Sequence, residues 1–233
     1  PDANVRFHAV EALGRIRSRA AALPVAAVAE TRDFAVAFAA LDTLALIGEP
    51  SVAPRLLPLL DDELLQSAAA EALGRLGGED AVAPLAALLD REGAPVAAVA
   101  GALTTLSDRL DGAGGDEGRV AGLARAVMTD RGARNLVAAM SDASEAELAG
   151  LVVVLGWLPF DGVEHALAAA LPRAGVRRTA ADILARRGAK AVEPLLAALA
   201  ADDHEVRKAA AATLGRIGAP LALPALVGLL DDS

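Results

Sequence analysis

Residues 71–89 read EALGRLGGEDAVAPLAALL, and residues 212–230 read ATLGRIGAPLALPALVGLL. Two near-copies far apart in one chain point to a repeated structural unit, which is best sought before any single motif. Aligning the chain on the Leu of ALGR gives anchors at Leu13, Leu44, Leu73, Leu103, Leu155, Leu184 and Leu214, with successive gaps of 31, 29, 30, 52, 29 and 30 residues. The near-constant period, broken once, divides the chain into two arrays of like units.

Each unit carries two helical patterns. With the anchor Leu as zero, apolar residues recur at −8, −4, −3, zero and +3; in the last copy these are Val206, Ala210, Ala211, Leu214 and Ile217. That spacing is one stripe of a 3.6-residue helix. Gly follows at +4 as Gly48, Gly77, Gly188 and Gly218, where a left-handed helix cap is expected. A second apolar helix follows, with Pro54, Pro84, Pro194 and Pro224 in its first turn, where a missing N–H costs little. The Asp pairs 61–62, 202–203 and 231–232 close units and suit the N-terminus of the next helix. The position after the anchor is small in Gly14, Ala45, Gly74, Gly156, Ala185 and Gly215, with Thr104 the exception, which predicts close helix–helix approach.

Composition agrees. The chain has 233 residues, 55% of them hydrophobic but only 2% aromatic, so its apolar content is mainly Ala, Leu and Val. Ala and Leu favour helix, and strand-forming aromatic runs are missing. The net charge of −9 argues against nucleic-acid binding, which draws on Lys and Arg against phosphates. Without cysteine there is no disulfide, thiolate metal site or cysteine nucleophile, which fits a cytoplasmic protein. The longest uncharged apolar run, residues 148–160, is short of the ~20 residues that span a bilayer.

The stretch DDHEVRKAAAATLGRIGAPLALPALVGLLDD, residues 202–232, resembles a HEAT repeat of the short type found in phycobilisome lyase subunits. The resemblance implies an all-α fold: a right-handed α-solenoid of about seven helix pairs, with a concave face that usually binds proteins. It also implies an Arg at −7 meeting an Asp of a neighbouring repeat. Arg6, Arg177 and Arg207 match, whereas Ala37, Gln66, Val96 and Leu148 do not, so that ladder is expected to lapse in the middle.

The gap of 52 exceeds one period. Residues 111–118, DGAGGDEG, read as a loop and residues 119–129 as an extra helix. The expected organisation is repeats over 1–110, an insertion over 111–130 and repeats over 131–233, as one continuous solenoid. Both termini read as repeat junctions rather than polar caps, which predicts a module of a longer bacterial protein, with flanking domains as possible partners.

Positions −6, −2 and +2 lie opposite the core stripe and form the candidate binding surface. Phe7, Phe38 and Leu46 form an apolar patch in the first two copies. Val153 and Trp157 stand where other copies carry charge; Trp157 either anchors a partner or is covered by helix 119–129. Arg178, Arg186, Lys208 and Arg216 form a local basic strip. Glu11–Arg15, Glu71–Arg75 and Asp182–Arg186 are expected to pair along their own helices.

The three His are scattered, and no metal, phosphate-loop or nucleophile motif stands in context. His204-Glu205 is similar to the His-Glu pairs of the HEAT-like deoxyhypusine hydroxylases, but that di-iron family needs several such pairs. The expectation is a non-catalytic protein–protein interaction scaffold without cofactor, binding a protein or peptide partner through the concave helix face, with no nucleic acid and no membrane. The alternatives are a chromophore-handling subunit like the phycobilisome lyases or a nucleic-acid-binding module.

Overall fold

The computed structural model describes residues 2–31, 33–112 and 118–231. Five residues of the expected insertion loop, 113–117, and Asp232 of the last Asp pair lie outside the described residues. Two compact units form, residues 1–136 and 137–233.

In the first unit the longer helices are α1 (Ala3–Ile16), α3 (Phe34–Ile47), α5 (Gln66–Leu76) and α7 (Val96–Leu110). Each packs against the next in the series. Alternating with them are α2 (Ala22–Glu30), α4 (Ala53–Leu56), α6 (Val82–Leu88), α8 (Arg119–Val127) and then α9 (Asp130–Ala139), which crosses the unit boundary. The second unit repeats the scheme with first helices α10 (Glu145–Trp157), α12 (Ala174–Arg187) and α14 (His204–Ile217). Its second helices are α11 (Val163–Ala169), α13 (Val192–Ala198) and α15 (Leu223–Gly228). Each unit is thus a two-layer stack of helix pairs, the all-α solenoid architecture that the period implies.

The anchor leucines build the core. Leu44, Leu73, Leu103, Leu155 and Leu184 are fully buried and Leu214 nearly so, each worth about 1.5–3 kcal/mol of apolar transfer. Leu13 is only half-buried. The small position after the anchor works as expected in three copies. A Cβ on Gly14 would stand 2.9 Å from Thr43 Oγ1, one on Gly74 2.8 Å from Ala102 Cα, and one on Gly156 2.9 Å from Ile183 Cδ1. Thr43, Ala102 and Ile183 each sit one residue before the anchor of the following copy. Successive first helices therefore meet through a Gly on one and the residue before the anchor on the other.

The helix ends follow from local chemistry. Asp2, Asp33 and Asp203 accept N-terminal backbone N–H groups, Asp203 from Glu205 at 2.8 Å. Ser144 and Glu147 form a capping box, and the hydrogen bonds from Ser144 hold the Glu147 carboxyl below its ordinary pKa. Gly48 and Gly218 close their helices with φ of 71° and 69°. Gly77 departs from this expectation: it is extended, at φ −63°, and the space where its Cβ would lie holds the Leu73 carbonyl oxygen at 2.6 Å. Close contact, not handedness, keeps Gly at this position. In the first copy Arg17 takes the left-handed cap without being Gly, at φ 54°.

Copies are tied by arginines. Arg6 pairs with Asp33 at 3.0 Å and Arg177 with Asp203 at 3.5 Å, the ladder that the resemblance implies. Arg177 and Arg207 also hold the carbonyls of the junction before their own helix, Leu171 at 2.7 Å and Ala201 at 2.9 Å. Gln66 occupies the same register in copy three, buried, with its Oε1 meeting no donor among the described residues.

The interruption differs from the expected insertion. Helix α8 packs against α6 and α7 and so takes the place of the fourth pair's second helix. The additional helix is α9, docked on the end of α6 through Gly132 N–H to Asp90 at 2.6 Å and Asn135 Nδ2 to the Leu89 carbonyl at 2.8 Å. The 119–129 pattern is amphipathic because it is an ordinary second helix after a long connection, and the two compact units divide at 136/137.

Candidate partner-binding surface

Register defines the outward rows of the first helices, and burial differs along them. In copy two, Phe38 is 43% and Leu46 44% exposed, with Asp42 exposed between them. They stand at i, i+4 and i+8 of α3 and share one face. Phe7 on α1 is half-buried and stacks edge-on to His8, with ring centroids 5.5 Å apart. Phe34 at the start of α3 is a further exposed aromatic, at 41%, that the three-row reading did not include.

Trp157 is a correction. It is 3% exposed and unavailable to a partner, and Val153 is half-buried. Helix α10 carries no charge beyond its first turn, and Leu148, Leu151, Val152, Val154 and Leu155 bury one broad side of it, with Gly150 and Trp157 extending that side. The row runs from exposed Ala149 through half-buried Val153 to buried Trp157, so its C-terminal end is interior and offers no apolar patch to a partner. The helix 119–129, α8, packs on α6 and α7 in the first unit.

The basic strip is exposed but partly answered. Arg216 reaches across to Asp182 at 2.7 Å, Lys208 meets Glu205 at 3.3 Å, and Arg178 lies 4.0 Å from Asp182. Arg186 is exposed beside them. Two of the expected same-helix pairs stay open: Glu11 turns to His8 at 3.2 Å, and Arg15, Glu71 and Arg75 have no ion-pair partner among the described residues. Long side chains on a wet face lose entropy by pairing and gain little.

The other layer is laced by pairs between successive repeats. Arg55 meets Glu30 at 2.6 Å, and that hydrogen bond holds the Glu30 carboxyl below its ordinary pKa. Asp61–Arg91 at 2.9 Å, Glu79–Arg119 and Glu193–His165 at 2.8 Å continue the pattern. These charges are engaged in holding repeats together.

Two features escaped sequence reasoning. Arg109 Nη1 donates to the carbonyls of Gly74 and Gly77 at 3.1 and 3.0 Å, and Arg187 Nη1 to that of Leu158 at 2.9 Å, so each arginine caps the preceding first helix and opposes its dipole. Arg187 also forms a nearly buried pair with Glu164 at 2.7 Å. No shared register announces them, since Arg109 stands six and Arg187 three residues past its anchor. The second is a cavity of about 300 Å³ in the second unit, lined by Val137, Met140, Leu148, Ala170 and Arg173 among others. The guanidinium of Arg173 already donates to the Ala143 carbonyl at 3.1 Å.

The three His each stand exposed beside a Glu, including His204–Glu205 at 3.4 Å within one helix turn. Among the described residues, no three His, Cys, Asp or Glu side chains gather as a metal ion requires. No helix among them is long and apolar enough to cross a membrane.

Comparison with known proteins places these repeats. A model of HEAT repeats matches residues 1–66 and 163–233, and one of the PBS lyase HEAT-like repeat matches residues 65–91. No curated protein matches the chain. Among solved structures, human deoxyhypusine hydroxylase in complex with glycerol aligns with 94% of this chain and 81% of its own at 19% identity, with a TM-score of 0.36. Agreement that loose carries no functional argument.

Proposed function

The chain belongs to the HEAT-repeat family, and we propose that it is a non-catalytic protein–protein interaction scaffold that receives a protein or peptide partner on the outward face of its first helices. The observation that carries this is the exposed aromatic surface of α3. Several charges of the second-helix layer are paired between repeats, as in Glu30–Arg55 and Asp61–Arg91. The outward face of α3 holds the exposed aromatics Phe34 and Phe38 together with Leu46 and a carboxylate without an ion pair among the described residues, Asp42. Aromatic residues are scarce in this chain, and placing them in water has a cost that a bound partner removes.

The scatter of the three His, each on the surface beside a single Glu, supports the non-catalytic part of the reading. The nucleic-acid alternative loses force because the basic strip meets Asp182 and Glu205. The match to the PBS lyase HEAT-like repeat spans only residues 65–91, and so lends the chromophore alternative little support.

The test is affinity capture with the chain as bait, followed by reconstitution with the purified partner and calorimetry. Binding is expected to fall when outward first-helix residues are changed, as in Phe38→Ala or Arg178→Glu, and to persist in Arg91→Ala on the other layer. A reconstituted complex indifferent to every outward substitution would refute the reading.

A further inference from the structure

We propose that Phe38, Asp42 and Leu46 on α3 receive an arginine flanked by apolar residues, carried on a peptide segment of a protein partner. This rests on the protein-binding reading and specifies the partner's chemistry.

The three side chains share one helix face, with an acid between two half-exposed apolar groups. Asp42 makes no hydrogen bond or ion pair among the described residues. In sequence, its register neighbours differ from it. Helices α1 and α5 pack on α3 and carry the same acidic register as Glu11 and Glu71. Each of those has an arginine four residues on, Arg15 and Arg75, whereas Asp42 has Leu46. Copy two therefore has no cation of its own at this place and carries apolar surface on both sides of the acid. Packed helices lie about 8–10 Å apart, so the three carboxylates form a row whose middle member sits in apolar surroundings.

That arrangement suits a guanidinium better than an ammonium. Its plane stacks on an aromatic ring while its donors meet a carboxylate in a paired geometry, and its weaker hydration makes apolar flanks less costly. Apolar residues beside the arginine would cover Leu46 on one side and Phe34 on the other, the latter 41% exposed. The net charge of −9 draws a basic segment toward the chain over longer range.

The experiment displays a random peptide library against the whole chain, sequences the enriched binders and measures their affinities by fluorescence anisotropy. Enriched peptides are expected to carry Arg beside apolar residues. Phe38→Ala and Asp42→Asn should each weaken them at least ten-fold, and Arg→Lys in the peptide should weaken them several-fold. A peptide with that Arg changed to Glu should regain affinity for Asp42→Arg. Enriched peptides indifferent to Phe38→Ala and Asp42→Asn would overturn this inference and leave the scaffold reading standing. A library that yields no binder at all would overturn both.

Discussion

The stretches 71–89 and 212–230 spell almost the same unit, yet they hold different energies. In the first, Val82, Ala86 and Leu89 are fully buried; the residues at the same register in the second, Leu223, Val227 and Leu230, are 65%, 55% and 81% exposed. The first stretch lies between α3 and α7 and beneath α8. In the second, α15 has no buried residue among its six. A repeat motif encodes the shape of a surface, and the stabilisation arrives only with the neighbour that covers it.

The largest expected difference follows directly. Leu89→Ala should cost ~2–5 kcal/mol, whereas Leu230→Ala should stay within about 0.5 kcal/mol, because one change opens a cavity and the other trims a wet side chain. Urea denaturation midpoints of the two variants decide this. Equal shifts would mean that the second stretch is as buried as the first.

Glycine sharpens the comparison by reversing sign. Gly74 and Gly215 occupy the same place in LGR. A Cβ at Gly74 would strike the backbone of Ala102 at 2.8 Å, while one at Gly215 would meet nothing within 4 Å. Gly74→Ala should therefore destabilise by about 1–3 kcal/mol through overpacking, and Gly215→Ala should stabilise by up to ~1 kcal/mol through helix propensity. Thermal melts of both variants supply the check, and a melting temperature that falls in both would remove the contrast.

The same contrast marks how far the sequence could be read. Period, stripe, Pro position and cap residues are local, so the helix pairs, the anchor leucines and the Arg6–Asp33 and Arg177–Asp203 ties were legible. What depends on neighbours was not. Gly77 looked like a left-handed cap because Gly48 and Gly218 are, but contact with the Leu73 carbonyl explains it instead. Register places Trp157 outward, yet its row passes from exposed Ala149 into the interior at the C-terminal end of α10, and Trp157 is buried there. Helix α8 looked inserted because a long connection precedes it, although it occupies the ordinary second-helix place. At the candidate surface, Phe38 and Leu46 were legible as exceptions to a charged row. That Asp42 stands unpaired required seeing where Arg15 and Arg75 do not reach.

The smallest expected difference concerns the two arginines that follow those glycines. Arg75 is exposed with no ion-pair partner among the described residues, whereas Arg216 reaches Asp182 of the preceding repeat at 2.7 Å. With side chains 52% and 39% exposed, that pair is well solvated and salt screens it. Arg216→Ala should therefore cost no more than ~1 kcal/mol at low ionic strength, and less in high salt. Arg75→Ala should change stability by less at either salt concentration, because no pair is lost. A double-mutant cycle on Arg216 and Asp182, run at both ionic strengths, isolates the coupling from the loss of the arginine stem against its helix. A coupling that persists undiminished at high salt would show that this tie is shielded from solvent, and would place the outward face of α12 and α14 nearer in character to the buried Glu164–Arg187 pair than to the open row on α5.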